Sequence, residues 1–80
     1  MYLHIGADYQ LNIKHIVAIL DIDNLTRDRN QISLEFLDKL EKDNKLIVVS
    51  VDLPRSLILT KNAAYLSPIA PSTLLSRMGY

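Results

Sequence analysis

Alternating apolar and polar residues predict two short strands at the start of the chain. Residues 2–5 and 9–13 each place apolar side chains at every second position, which is the pattern of a strand with one buried face. Gly6–Asp8 separates them, and both glycine and aspartate favour turns. We therefore expect Tyr2–Ile5 and Tyr9–Ile13 to form a hairpin. The next apolar run, Ile16–Ile22, is rich in β-branched residues and predicts a strand buried on both faces.

A helical period follows over Gln31–Asp43. Four apolar side chains fall within about 140° of arc at 100° per residue, and they are Ile32, Phe36, Leu37 and Leu40. Leu34 lies off this arc, so we expect it to face solvent or a partner. Asn30 suits the N-cap, because its side chain can accept hydrogen bonds from amides of the first turn. Asn44 is expected to end the helix.

The second half of the chain predicts three more strands and a short helix. The strands are Leu46–Val51, Ser56–Thr60 and Ala63–Ser67, with a turn at Asp52–Pro54 and a tight hairpin at Lys61-Asn62. Pro71 suits the first turn of a helix that runs through Met78, because an amide there would have no helical partner. These elements predict an α+β fold, a small and mostly antiparallel sheet of about six strands with one main helix and a short C-terminal helix. We expect residues 1–80 to form a single domain.

Size and composition indicate that this domain needs partners. The chain has 80 residues, 49% of them hydrophobic, and no cysteine. A domain this short buries only roughly 60% of its unfolded surface, so its stability is marginal without disulfides, a metal or partner subunits. Because cysteine is absent, disulfides and thiolate metal sites are excluded, and self-association is the leading candidate. The longest apolar run is too short to cross a membrane and no secretory leader is recognisable, which predicts a cytoplasmic protein.

The formal net charge of zero conceals an uneven distribution. Nine Lys and Arg residues balance nine Asp and Glu residues over the whole chain. Residues 21–43 carry seven acids and four bases, whereas residues 44–80 carry four bases and only one acid. The middle of the chain therefore has a charge of −3 and the C-terminal half a charge of +3, a modest field that leaves binding to nucleic acid open.

The pattern that most resembles catalytic chemistry is Asp21-Ile22-Asp23, at the end of a buried strand. A phosphotransferase of the haloacid-dehalogenase type uses two such carboxylates with Mg²⁺, but its usual Gly-Thr is replaced here by Asn24-Leu25, and 80 residues cannot build its large parallel sheet. Strand-end acids that cap a turn are the simpler interpretation. His4 and His15 have no metal-ligand spacing. We therefore expect no enzyme, cofactor, metal site or small-molecule substrate.

Basic residues near strand ends suggest contact with DNA. Lys14 and His15 lie between two predicted strands, Arg55 and Lys61 flank another, and Arg77 lies on the C-terminal helix. One chain offers few phosphate contacts, but an assembly that repeats them would bind more strongly. An ordinary solvated charged surface is the alternative interpretation of the same residues.

Several blocks along the chain together resemble a known bacterial family. They are Met1–Gly6 followed by Asp8-Tyr9, then Ile16–Ile19, Glu35–Leu37, Pro54–Ser56, Tyr65–Pro68 and Ser72–Leu74. Their order and spacing resemble the RemB branch of the extracellular matrix regulatory protein (RemA/RemB) family over essentially the whole chain. The resemblance implies a cytoplasmic regulator that activates biofilm matrix operons, and in the RemA branch small α+β subunits form rings that bind DNA through repeated arginines.

The resemblance carries over to some basic positions of this chain and not to others. It implies DNA contacts at Lys14 or His15 and at Arg55, whereas Asp52–Pro54 stand where the RemA branch has paired arginines. Two hypotheses follow. The first is a homo-oligomeric transcription regulator that binds DNA through repeated basic residues. The second is an oligomeric interaction module that acts through a protein partner without touching DNA.

Overall fold

The computed structural model describes residues 1–22 and 34–79, and within them it confirms the predicted α+β class. The elements, in chain order, are β1 (Tyr2–Gly6), β2 (Tyr9–Asn12), a 3-10 turn (Ile13–His15), β3 (Ile16–Asp21), α1 (Leu34–Lys42), β4 (Leu46–Val48), β5 (Ser56–Thr60), β6 (Ala64–Ser67) and α2 (Pro71–Arg77). The predicted N-cap Asn30, the helical position Ile32 and the side chain of Leu34 lie outside the described part of the chain.

The six strands of the described ranges form two sheets, a division that the sequence pattern does not predict. β1 and β2 make the expected antiparallel hairpin, and the other four strands pair in the order β3-β5-β6-β4. The β3–β5 and β5–β6 pairs are antiparallel, whereas β4 runs parallel to β6. A parallel pair needs a long connection. Here residues 49–63, which include β5, bring the chain back to the end of the sheet at which β4 starts.

The main core lies between the hairpin, α2 and one face of the four-stranded sheet. Its buried residues are Leu3, Ile5, Val49, Ile58 and Leu74. Because successive side chains of a strand point to opposite faces, Leu57 and Leu59 lie on the other face of β5 from Ile58. We call the face that carries Ile58 the core face, and the face that carries Leu57 and Leu59 the second face.

Two residues with positive φ mark the ends of elements. Asn44 has φ 58° immediately after α1, which fits the predicted end of this helix, since asparagine tolerates the left-handed region. Gly6 has φ 124° at the end of β1, and a Cβ atom there would meet Pro68 Cδ at 3.1 Å and Val49 Cγ1 at 3.2 Å. The hairpin therefore closely approaches the residues that directly follow β4 and β6, at a point where only glycine fits without strain.

β3 differs from the expectation of a strand buried on both faces. Val17 is 67% exposed, and the pairing of β3 with β5 shifts register between Ile16 and Ala18. β3 is an edge strand, and the irregularity turns Val17 away from the core. The strand expected over Leu46–Val51 is also shorter than predicted, since β4 ends at Val48. The Asp52 amide donates to the Ser50 hydroxyl, and this bond turns the chain before it reaches Leu53.

Candidate nucleic-acid interface

The four-stranded sheet places the predicted basic residues at two opposite ends. β5 runs from Ser56 to Thr60, so Arg55 precedes it at one end and Lys61 follows it at the other. At about 3.3 Å per residue the two positions are roughly 20 Å apart along the strand. A single chain therefore does not gather all the predicted contacts on one patch.

Lys14 and His15 lie at the same end of the sheet as Lys61. They form the 3-10 turn just before β3, and Ile16 pairs with Thr60 because β3 and β5 are antiparallel. The Asn12 side chain accepts a hydrogen bond of 3.0 Å from the Lys14 amide and so fixes the start of this turn. Both Lys14 and His15 are exposed, which leaves their cationic and imidazole groups free to reach a ligand.

A further lysine, Lys45, lies at this end of the sheet. β4 is parallel to β6, so it starts where β6 starts, with Leu46 opposite Ala64. The Lys45 carbonyl accepts a hydrogen bond of 2.7 Å from the Ala64 amide, which places Lys45 beside the β5–β6 turn. The sequence gives no local signal for this position, because it depends on the parallel pairing of β4 with β6.

We call Lys14, His15, Lys45 and Lys61 the basic end of the sheet. The turn that carries Lys61 is held by Thr60, whose Oγ1 donates to the Ala63 carbonyl at 2.8 Å and accepts from the Ala63 amide at 3.1 Å. Asp43, two residues before Lys45, contributes the nearest acid along the chain. Three lysines on segments held by hydrogen bonds are suited to contact phosphate oxygens, which position a protein on DNA without reading its sequence.

An apolar groove opens beside the basic end, on the second face of the sheet. It has a volume of about 280 Å³, and its apolar walls come from α1 and from strands β3, β5 and β6 with their connecting turn: Val17, Phe36, Leu40, Leu59, Ala63 and Ala64. Lys45 and Lys61 also line it, together with Thr60 and Asn62. The groove thus combines an apolar floor with two cationic groups, a combination that composition alone does not reveal.

The opposite end of the sheet carries Arg55 and an exposed apolar loop. The Arg55 amide donates to the Ser67 carbonyl at 2.8 Å, and its carbonyl accepts from the Ile22 amide at 3.1 Å, so its backbone is anchored while its side chain is exposed. In the loop before it, Val51 is fully exposed and Leu53 is 83% exposed. We call Val51–Leu53 the apolar tip.

The apolar tip has a defined conformation in spite of its exposure. The Ser50 hydroxyl donates to an Asp52 carboxylate oxygen at 3.2 Å and accepts from the Asp52 amide at 3.0 Å. These two bonds close a local turn and present Val51, Asp52 and Leu53 to the surroundings. Asp52 is the only acid of residues 44–80, so the tip pairs two aliphatic side chains with one negative charge.

Arg77 lies apart from the other predicted contacts. Its Nη1 donates a hydrogen bond of 3.0 Å to the carbonyl of His4, which ties the end of α2 to β1. His4 Nε2 in turn donates to the Ala7 carbonyl at 2.8 Å within the hairpin. The structure therefore gives Arg77 a role in holding α2 and β1 together.

The acidic pair considered for catalysis is only partly within the described residues. Asp21 ends β3 opposite Ser56, whereas Asp23 lies outside them. Within residues 1–22 and 34–79, no three His, Asp or Glu side chains are grouped so that they could hold a metal ion. Over the same residues, no helix has the length and apolar character needed to cross a membrane.

Comparison with known proteins agrees with the resemblance noted in the sequence. Residues 2–78 match a family model described as RemA-like, extracellular matrix regulatory protein A-like. The chain is also similar to Extracellular matrix regulatory protein B of Bacillus subtilis (strain 168). The two are 35% identical over 78 residues, which cover 96% of this chain and 89% of that protein.

Proposed function

The chain belongs to the RemA-like family, and on that basis we propose that it regulates genes of the extracellular matrix by binding DNA as a homo-oligomer. The name of its relative supports matrix regulation, and the basic end of the sheet supports direct contact with DNA. A regulator of this kind acts in the cytoplasm, where it meets the chromosome.

The observation that carries the proposal is the exposed group of three lysines and one histidine at one end of an ordered sheet. Lys14 and His15 stand on a turn fixed by Asn12, and Lys61 stands on a turn fixed by Thr60. Charges held on ordered turns can meet phosphates without a large loss of conformational freedom. Such contacts release counterions from DNA, so the binding they produce weakens as salt is added.

Assembly is part of the proposal because one copy has too little charge to bind DNA tightly. The chain has no net charge, and only a few cationic groups share one end of the sheet. Once one subunit of an assembly is bound, the basic ends of the other subunits meet the same duplex at high effective concentration. Self-association would also supply the stability that an 80-residue domain without cysteine lacks.

A titration of labelled duplex DNA at low and moderate salt tests the proposal. We expect the wild-type protein to bind at low salt, to lose affinity as salt is added, and to bind more weakly after Lys14→Ala. Lys39→Ala is the matched control, because Lys39 is an exposed lysine of α1 outside the basic end. Equal effects of the two substitutions would contradict a specific role for the basic end.

A second candidate function is supported by the apolar tip. Asp52–Pro54 stand where the RemA branch is expected to carry paired arginines, and Val51 and Leu53 are exposed there; exposed aliphatic groups on an ordered turn favour a protein partner over DNA. In that case the protein acts as an oligomeric interaction module without DNA contact. The same titration separates the two functions, because a module of this kind gives no shift of the DNA even at low salt.

A further inference from the structure

The apolar tip and the apolar groove have complementary chemistry. The tip offers two exposed aliphatic side chains, Val51 and Leu53, on either side of the carboxylate of Asp52. The groove offers apolar walls from α1 and the β5–β6 turn, and its lining also includes Lys45 and Lys61. An aliphatic–acid–aliphatic segment placed there would bury its apolar groups against apolar walls and bring its carboxylate to a groove lined by two lysines.

We propose that copies of this chain associate head to tail, with the apolar tip of one copy seated in the groove of the next. This inference rests on the proposed function insofar as that function requires a homo-oligomer, and it deepens it by naming the two surfaces that meet. The occupant of the groove is a second copy because the chain itself carries a segment with the matching order of apolar and acidic groups.

The position of the two surfaces explains how the association continues beyond two copies. The tip follows β4 at the end of the sheet that carries Arg55, whereas the groove opens at the basic end. A copy that has placed its tip in a neighbour therefore still offers its own groove to a third copy. Such a heterologous contact produces a closed ring when the rotation between copies closes, and a filament when it does not.

Head-to-tail contact would also bring together predicted DNA contacts that lie at opposite ends of the sheet in one copy. Within one copy Arg55 lies at the opposite end of the sheet from Lys14 and His15. At each junction the tip brings Arg55 of one copy toward the basic end of the next. Lys14 and His15 do not line the groove, so they stay available to phosphate when the tip occupies it. Asp52 offsets one of the two positive charges of Lys45 and Lys61, so the basic end keeps a net positive charge at the junction.

Light scattering on variants of the full chain tests this contact. We expect a wild-type mass larger than a dimer, and a monomer for the tip variant Val51→Ser with Leu53→Ser. Both side chains are exposed, so this variant should keep the wild-type circular dichroism spectrum. Tyr2→Ser is the matched control, because Tyr2 is 66% exposed on the hairpin and belongs neither to the tip nor to the lining of the groove. A monomeric wild type, a strict dimer, or a tip variant of wild-type mass would overturn the proposal.

Mixing the tip variant with a groove variant, and reversing the charges on both surfaces, tests whether the tip and the groove contact each other. Lys45→Asp with Lys61→Asp disables the groove and is expected to give a monomer. Mixed with the tip variant, it should give a one-to-one dimer, because each chain keeps one working surface. Asp52→Lys should also give a monomer, and adding it to the two lysine reversals within one chain should restore the larger mass. Failure of both the mixing and the restoration would show that tip and groove do not meet.

The same variants separate this inference from the proposed function. If the tip and groove variants keep wild-type mass while Lys14→Ala weakens DNA binding, the proposed function stands and the tip-in-groove contact is wrong. If the masses change as expected while wild-type protein gives no DNA shift at low salt, the contact is supported and DNA binding is wrong.

Discussion

The hydroxyl of Ser67 donates a hydrogen bond of 2.6 Å to the carbonyl of Ile5, joining β6 to β1 across 62 positions of sequence. Both residues are fully buried, and the same hydroxyl accepts from the Ile69 amide at 3.1 Å. One small side chain thus satisfies two backbone groups, a buried carbonyl and a partly buried amide. It fixes the hairpin against the four-stranded sheet and sets the course of the chain toward α2.

Replacing Ser67 with alanine should destabilise the protein. The substitution leaves a buried carbonyl and an amide without their partner, which costs about 1–3 kcal/mol of the free energy of unfolding. Urea denaturation followed by circular dichroism measures this change. Ser76→Ala is the matched control, because Ser76 is exposed on α2, and its effect should stay within about 0.5 kcal/mol. Equal losses for the two variants would show that the Ser67 bonds contribute nothing specific.

Gly6→Ala should destabilise the protein by more than Gly79→Ala. Both glycines have positive φ, 124° and 93°, so both substitutions place an L side chain in a strained conformation. Only the Cβ at position 6 would also meet Pro68 and Val49, at 3.1 and 3.2 Å, whereas nothing lies within 4 Å of the one at position 79. We expect a loss of about 1–3 kcal/mol at Gly6, beyond the backbone strain that both share. Urea midpoints that move equally would contradict this difference.

Leu74→Ala should cost far more stability than Leu75→Ala, although the two leucines are neighbours on α2. Leu74 is fully buried in the main core, whereas Leu75 is 40% exposed. Removing a fully buried leucine side chain costs about 2–5 kcal/mol, a large part of the stability of a small domain. Thermal unfolding should therefore show a much lower Tm for Leu74→Ala at the same protein concentration. Protein concentration must be matched, because self-association raises the apparent Tm.

The order of apolar and polar residues within a short segment predicts the hairpin and β5 correctly. The alternation of residues 2–5 and 9–13 predicted the hairpin, and Ser56–Thr60 has the predicted bounds. Side-chain period 2 identifies a strand and its two faces but does not say which strand is its neighbour. The division into two sheets, the parallel β4–β6 pair and the irregularity that exposes Val17 all depend on pairing between distant segments.

The candidate site shows the same limit. Residue type alone identified Lys14, His15, Arg55 and Lys61 as cations near strand ends, and the order of residues along β5 placed Arg55 and Lys61 at opposite ends of it. Lys45 joined the basic end only through the parallel pairing of β4 with β6. Arg77 is as basic as Arg55, but in the structure its guanidinium donates a hydrogen bond to the His4 carbonyl and so connects α2 with β1.

The two arginines should therefore respond differently to removal. Arg55→Ala should lower the affinity for duplex DNA by roughly tenfold or more at low salt, because each copy in an assembly loses a phosphate contact. It should also reduce the salt dependence of binding by about one unit of log–log slope or more. Arg77→Ala should leave both quantities near wild type, since its guanidinium already bonds the His4 carbonyl, and should lower stability by about 1 kcal/mol at most. Fluorescence anisotropy with a labelled duplex measures the affinities, and urea denaturation measures the stabilities. DNA binding that falls equally in both variants would show that location in the fold does not decide which arginine meets DNA.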